Sequence, residues 1–450
     1  MKRNGSWMKQ AIVLLLCIVF VGSVTPSVFG KERKNALPQP QLSLYSSSAI
    51  VYDASNGRIL YEKNKDEKRY PASLTKMMTV YAALQLEEDD NREIVLDEVM
   101  FRGLYEENAS MAGFAVGETV RFKDLIYGAM LPSGAEACQA LAIATKGSVE
   151  EFVAEMNRQA EQLGMTHTHF VNTSGLHDDD HYTSAGDMLL LLEAALQDER
   201  FLEAYGTDVF VTAGNEVHPY GVELSSTRLS ELEALGIPED FFEGSKTGFT
   251  TEAGKCLATS TWDDDVHLLY VGMQAEGDYY THDHFTDAYT ALTYFKEHYE
   301  NKVLYQKGDL IADLSIKDSL DRSAGTFYAS EKIALYVPQP ITTKQIKKSV
   351  EPLASLQAPY QKGDTLAKVA FTYEDLYLGE IALNAHQDID AHPFLYILFS
   401  IWWWMSDSLV RLLVIAMIVY MLIWCLHRYR RKKRRRKSYR SALLYQRQKR

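Results

Sequence analysis

Apolar and polar positions alternate from Ala49 to Tyr61 (Ile50-Val51-Tyr52-Asp53, then Arg58-Ile59-Leu60-Tyr61), which predicts a β-hairpin turning on Asn56-Gly57. The period then lengthens. Pro71 opens a helix expected to run to about Glu87, with Met77, Met78, Val80, Tyr81 and Leu84 on its buried face. Helical patterning dominates from Phe122 to Leu163 and again from Ala185 to Ala195. Strand-like runs return at Lys246–Thr259 and Val266–Met273, and a closing helix covers Asp287–Tyr299. The order is strands, helices, strands: a helical region inserted into one sheet.

A second pattern runs from about Val303 to Leu383. Short alternating stretches (Lys332-Ile333-Ala334-Leu335-Tyr336-Val337 and Leu366-Ala367-Lys368-Val369-Ala370-Phe371) are separated by turns such as Lys362-Gly363-Asp364. They predict a small β-sandwich that carries no catalytic constellation and holds the first domain away from a membrane. No internal repeat is visible.

Both ends of the chain are apolar in a different way. Lys2, Arg3 and Lys9 precede an apolar run from Ala11 to Val21, with small and turn residues up to Gly30, so 1–30 reads as an export signal cut after Gly30; an uncleaved anchor is the alternative. Residues 31–46, with Pro38 and Pro40, read as a tether. Leu409 to Leu426 is apolar apart from Arg411, and about 18 residues at 1.5 Å each roughly cross a hydrocarbon core. Before it, Phe394–Met405 with Trp402-Trp403-Trp404 suits the headgroup layer, a hairpin of two short spans being the competing reading.

Charge sharpens this picture. The formal net charge of −13 conceals a split, because all 60 acidic residues lie between positions 31 and 407, against about 30 basic ones there. Thirteen Lys and Arg crowd 428–450, directly after the apolar run. The expected topology is a cytoplasmic basic tail, a single span and an acidic body outside, in a bacterial membrane. An acidic body argues against a nucleic-acid partner. Of the four cysteines only Cys138 and Cys256 fall in that body, and without a spacing pattern they read as buried free thiols, a bridge between them being the alternative.

The candidate chemistry rests on three strings in order: Ser73-Leu74-Thr75-Lys76, Ser133-Gly134-Ala135 and Lys246-Thr247-Gly248. A serine hydroxyl is a weak nucleophile until a base takes its proton. At i+3 on a helix, Lys76 shares a face with Ser73. An amine serves as base once burial or a neighbouring cation lowers its pKa, and Lys246 is the candidate cation. The backbone N–H of Ser73, among the free donors of a helix start, suits a developing oxyanion. Gly248 is expected to let a substrate backbone lie against the strand, and Thr247 to offer a hydroxyl to a carboxylate. Each string alone is common; the three in order on an exported chain point to acyl transfer through Ser73.

These strings resemble the low-molecular-mass penicillin-binding proteins, the serine D-alanyl-D-alanine carboxypeptidases. The likeness runs from about Ala49 to Ala385. It takes in Pro71–Thr79, Leu131-Pro132-Ser133-Gly134, Met156-Asn157, Leu163-Gly164-Met165, Phe170-Val171-Asn172, Gly175-Leu176, His181-Tyr182-Thr183, Asp187 and Lys246-Thr247-Gly248 with Ala253–Leu257. The resemblance implies an α/β (α+β) penicillin-binding/β-lactamase-like catalytic domain, an antiparallel sheet with a helical subdomain. A small all-β domain and a C-terminal transmembrane helix follow it. The divisions expected are 1–30, 31–46, 47–300 (catalytic), 301–388 (β-rich), 389–407 (interfacial), 408–427 (span) and 428–450 (tail). It implies that Ser73 is acylated by the penultimate D-Ala of a peptidoglycan stem, that Lys76 is the base and Ser133 a proton relay. Lys246 and Thr247 would hold the terminal carboxylate, and the N–H groups of Ser73 and Phe249 the oxyanion. β-Lactam antibiotics would bind at the same place, and no cofactor is implied.

The departure is Ala135, where the family has an Asn that bonds the active-site lysine and the substrate backbone. Losing such a contact costs roughly 1–3 kcal/mol if a buried partner is left unpaired. Glu136 points about 100° away on a helix and does not substitute. A working enzyme with altered preference is expected; the alternatives are a catalytically weak wall-binding protein and a β-lactamase, for which no Glu-x-x-x-Asn string occurs between Ser133 and Lys246. His177-Asp178-Asp179-Asp180-His181 and His282-Asp283-His284 have a metal-like look but no HExxH or complete ligand set, so no metal is expected.

Overall fold

The computed structural model describes residues 37–277, 280–319, 321, 323–353 and 356–391, and helical residues within 413–428. The expected export signal at 1–30 and the expected interfacial segment and basic tail fall almost wholly outside the described residues.

Strands β1 (Ser46–Asp53) and β2 (Arg58–Lys63) form the expected hairpin, with Gly57 at φ +64° in its turn and a register shift between Val51 and Tyr52. Two short pairs follow later in the chain, β3 (Glu93–Val95) with β4 (Thr119–Arg121) and β5 (Val209–Val211) with β6 (Glu223–Ser225). The returning run at 246–259 is two strands, β7 (Gly244–Thr250) and β8 (Gly254–Asp263), because Gly254 at φ +63° ends a tight turn inside it. With β9 (Val266–Ala275) they complete an antiparallel sheet of order β2-β1-β9-β8-β7. The last member, β7, lies at the edge.

Both faces of this sheet are covered, and the period of two sorts the side chains between them. Ile50, Tyr52, Leu269, Val271 and Met273 join the core beneath the helical region, while Ala49, Val51, Leu268 and Tyr270 join a second core with Phe285, Leu292 and Phe295. Those last three belong to the helix Asp283–His298.

The helical region contains α1 (Thr75–Leu84), α2 (Phe122–Met130), α3 (Ala135–Lys146), α4 (Val149–Leu163), α5 (Ala185–Ala195), α6 (Glu199–Gly206) and α7 (Arg228–Leu235). α1 is shorter than expected: a 3-10 turn at Ala72–Leu74 precedes it, and it ends at Leu84. It is buried on nearly every side, Thr75, Lys76, Thr79, Ala82 and Ala83 included, because it runs through the middle of the other helices. α8 (Asp283–His298) closes the sheet from the other side, starting four residues before the expected position.

Beyond α8 the described elements are strands with one 3-10 turn, in small sheets: Tyr299–Tyr305 with Ile333–Pro338, Leu310–Asp313 with Thr326–Tyr328, and Ile346–Pro352, Thr365–Tyr373 and Leu376–Asn384 together. Among the described residues, those within 1–304, 332–348 and 371–379 form one compact unit and those within 305–331, 349–370 and 380–450 another. Part of the expected span at 408–427 is described: residues 413, 415–424 and 426–428 are helical, and most of their apolar side chains are exposed. Among the described residues no helix is long and apolar enough to cross a membrane.

Candidate active site

The 3-10 turn before α1 sets Ser73 at the helix start and Lys76 one turn along. Lys76 Nζ donates to Ser73 Oγ at 2.8 Å and to the backbone carbonyl of Ser174 at 2.7 Å. Lys76 is 2% exposed, and burial pulls its pKa down to about 8. The i+3 spacing predicts the contact of Lys76 with Ser73; nothing in the residue type of Ser174 predicts its own.

Ser174 reaches the lysine through a turn that one side chain builds. Asn172 Oδ1 accepts from the N–H groups of Ser174 (3.1 Å) and Gly175 (2.7 Å), and its Nδ2 donates to the Leu176 carbonyl at 2.8 Å. Gly175, at φ +83°, is packed so tightly on the nucleophile turn that a Cβ there would stand 1.8 Å from the Ala72 carbonyl oxygen. The signal was present in Phe170-Val171-Asn172 and Gly175-Leu176, but a carbonyl ligand leaves no trace in residue type.

β7 brings the second lysine. Lys246 Nζ donates to Ser133 Oγ at 3.0 Å and to the Thr247 carbonyl at 3.1 Å. Burial, then the charge of Lys76, lower its pKa to about 7. Two ammonium groups in one dry site oppose each other, so the site favours one of them neutral. Ser133 sits between α2 and α3 at φ +66°, a strained value for a residue with a Cβ. Hydrogen bonds from Gly134 N–H to the Gly128 carbonyl and from Ala135 N–H to the Ser110 carbonyl, both 2.8 Å, hold it there.

Gly248 differs from expectation in what it accommodates. A Cβ at this position would lie 3.0 Å from both the Pro71 carbonyl oxygen and the Ser73 nitrogen, so the close approach it permits is that of the protein's own nucleophile turn. Phe249, the next residue on β7, is partly exposed. Because β7 is the sheet edge, one of its two sides has no strand neighbour among the described residues. An edge strand offers its backbone to an extended peptide. Thr247 Oγ1 lies 2.9 Å from Thr227 Oγ1, a second hydroxyl, just before α7, that nothing in its sequence surroundings marked. The neighbouring Arg228 is committed elsewhere, to Asp208 and to the Phe242 carbonyl.

At the departure from the family pattern, Ala135 is buried and Glu136 turns away, as the helix geometry required. Glu136 Oε1 accepts from the N–H groups of Ala112 (2.7 Å) and Gly113 (3.0 Å). Cys138, one turn beyond Ala135, is a buried free thiol whose pKa burial pushes up to about 12; Cys256 is likewise free. Among the described residues no group of three or more His, Cys, Asp or Glu is placed to hold a metal ion. His177 and Asp179 lie 3.6 Å apart at the surface, while His181 turns inward.

This geometry agrees with what the chain is similar to. The family model for D-alanyl-D-alanine carboxypeptidases matches residues 34–277, and that for the C-terminal domain of penicillin-binding protein 5 matches 299–391. The D-alanyl-D-alanine carboxypeptidase DacF of Bacillus subtilis (strain 168) is 28% identical over 392 residues, 86% of this chain and 96% of the relative. DacA of Escherichia coli (strain K12) is 31% identical over 272 residues, 58% of this chain and 63% of that one. The crystal structure of penicillin-binding protein 5 from Haemophilus influenzae shares the fold at TM-score 0.66 and 24% identity, over 79% of this chain and 100% of its own. The architecture is a penicillin-binding catalytic domain followed by a β-rich C-terminal domain. With the matched segment covering more than half of its length and both lysines of the site, the chain belongs to the D-alanyl-D-alanine carboxypeptidase family.

Proposed function

We propose that this serine D-alanyl-D-alanine carboxypeptidase works through an acyl-Ser73 intermediate on peptidoglycan stem peptides, and that Ala135 leaves turnover intact. The observation that carries the reading is the 2.8 Å contact between Lys76 Nζ and Ser73 Oγ, in a site dry enough to lower the pKa of the amine to about 8. Neutral Lys76 takes the Ser73 proton as Oγ attacks the penultimate D-Ala carbonyl carbon. The N–H groups of Ser73 and Phe249 receive the oxyanion. The C–N bond then breaks, and the departing terminal D-Ala takes the proton that Lys76 gained, relayed through Ser133, which leaves Lys76 neutral again. Water then attacks the ester, losing a proton to Lys76, which returns it to Ser73 Oγ as that oxygen leaves the acyl carbon.

The extended substrate lies along β7, its terminal carboxylate held by Lys246 and by the Thr247 hydroxyl. A bound carboxylate keeps Lys246 charged, which leaves Lys76 as the neutral amine. β-Lactams acylate the same serine. The Ser174 carbonyl favours this catalytic reading over a wall-binding one, because it gives Lys76 a fixed partner despite the missing Asn.

The same proposal includes the setting. The export signal, the apolar run at 408–427 and the basic tail support a single-pass protein with its catalytic domain outside a bacterial membrane. The exposed apolar helix within 413–428 suits an anchor, since a helix apolar all round needs a non-aqueous surrounding. The domain limits proposed are 47–300 and 301–388.

The test is release of D-Ala from diacyl-Lys-D-Ala-D-Ala by the full chain beside a Ser73→Ala control. Release that vanishes in the control is expected. No release, with Ser73 still labelled by penicillin, would put the wall-binding reading in its place.

A further inference from the structure

We propose that His181, outside the three strings, is a positioning residue that holds the nucleophile turn through Thr75. The proposal rests on the reading that Ser73 is the nucleophile. Ser73 follows Ala72, which is held at φ +46°, a left-handed conformation that an alanine does not keep unaided. The carbonyl of Ala72 accepts from Thr75 Oγ1 at 2.8 Å. That contact consumes the only hydroxyl proton of Thr75.

Thr75 Oγ1 also lies 2.8 Å from His181 Nε2, so the imidazole must be the donor there. On its other side, His181 Nδ1 accepts from the Val171 N–H at 3.1 Å. The two contacts together require one tautomer, neutral with its proton on Nε2. An imidazolium would set N–H against the Val171 N–H. Burial against the edge of Phe170, 5.6 Å between ring centroids, disfavours the cation further and lowers the His181 pKa to about 4. The charged groups acting on it are Asp178, His169, His177 and Lys76, and the first of these only partly offsets burial.

The backbone around His181 is fixed from both sides. His169 and Tyr182 exchange hydrogen bonds of 2.8 and 3.0 Å, and Arg69 and Thr183 exchange bonds of 2.7 and 2.9 Å. The segment thus grips the chain at Arg69, before Ser73, by its backbone, and at Thr75, after Ser73, by the His181 ring. Between those two grips lie the strained Ala72 and the nucleophile. Removing the ring's donor lets Thr75 rotate away from the Ala72 carbonyl and frees Ser73 Oγ from its register with Lys76.

The test measures penicillin acylation of Ser73 and tripeptide turnover in the full chain for His181→Phe, Thr75→Val, the double variant and His181→Gln, alongside thermal melts. Loss of one aligning hydrogen bond is expected to lower kcat and acylation about tenfold in either single variant, with KM little changed. The double variant should lose no more than the worse single, and His181→Gln, which keeps a donor near the Nε2 position, should recover part of the rate. If His181→Phe fails to fold, Thr75→Val and His181→Gln carry the comparison. Unchanged acylation, additive losses, or a rate loss that His181→Phe and His181→Gln share equally would overturn the proposal. Absence of Ser73 labelling in the parent chain would instead overturn the nucleophile reading on which it rests.

Discussion

Lys76 Nζ donates to the Ser174 carbonyl at 2.7 Å, and that single contact changes how the missing Asn at position 135 is understood. An active-site amine must present its lone pair to the serine, so its N–H groups need fixed acceptors. In this chain a backbone carbonyl supplies one, held by Asn172 and by the tight seat of Gly175 against Ala72. The proposed mechanism therefore rests the lysine on this turn rather than on position 135.

This makes Asn172 more important than position 135. Asn172→Ala removes three hydrogen bonds of one turn and should lower penicillin acylation by about tenfold to a hundredfold, whereas Ala135→Asn should change it by less than about tenfold. Acylation rates of the two variants at fixed pH check the order; the reverse order would return the weight to position 135.

Gly175→Ala should be destabilising whatever its effect on rate. The new methyl would meet the Ala72 oxygen at 1.8 Å, on a backbone at φ +83° that an alanine resists, so a loss of about 3 kcal/mol or more is expected in denaturant melts.

The rate should follow the protonation of Lys76. With its pKa at about 8, the amine is a base only above that value, so acylation of Ser73 should rise with pH through about 8 and level off beyond it. A pH profile of penicillin acylation checks this, with Lys76→Arg expected to be inactive across the range because guanidinium does not deprotonate.

The same burial carries a stability cost. The folded pKa of Lys76 lies below its ordinary 10.5, so below about 8 both states hold the proton and the folded state bears the whole cost of a buried ammonium. Between about 8 and 10.5 the folded state gives up its proton first and the cost fades. Lys76→Met removes it altogether. The stability of the variant relative to the parent should therefore fall by up to about 3 kcal/mol between pH 7 and pH 10.5, measured by urea melts.

Much of this was legible in the chain. The alternation at Ala49–Tyr61 predicted the hairpin, and the i+3 spacing of Ser73 and Lys76 predicted their contact. The Lys246–Thr259 run shows a strand-like pattern without its break, because the turn from Thr251 to Ala253 interrupts it for only three residues. What stayed hidden was the work of backbone: the Ser174 carbonyl, the left-handed Ala72 and Ser133, and the approach of Pro71 and Ser73 to Gly248. These depend on how distant loops meet, and residue type records that only indirectly. His181 and Asn172 could be quoted as part of a resemblance, yet their roles emerge only when the loop bearing them is folded against α1.

The account stands most directly on where the acyl group goes. The full chain should be treated with penicillin at pH 8.5, digested, and the modified peptide located by mass spectrometry, with Lys76→Met alongside. The account predicts one adduct, on Ser73, abolished or slowed by several hundredfold in Lys76→Met. An adduct on another residue, or full labelling of Ser73 without the Lys76 amine, would contradict it.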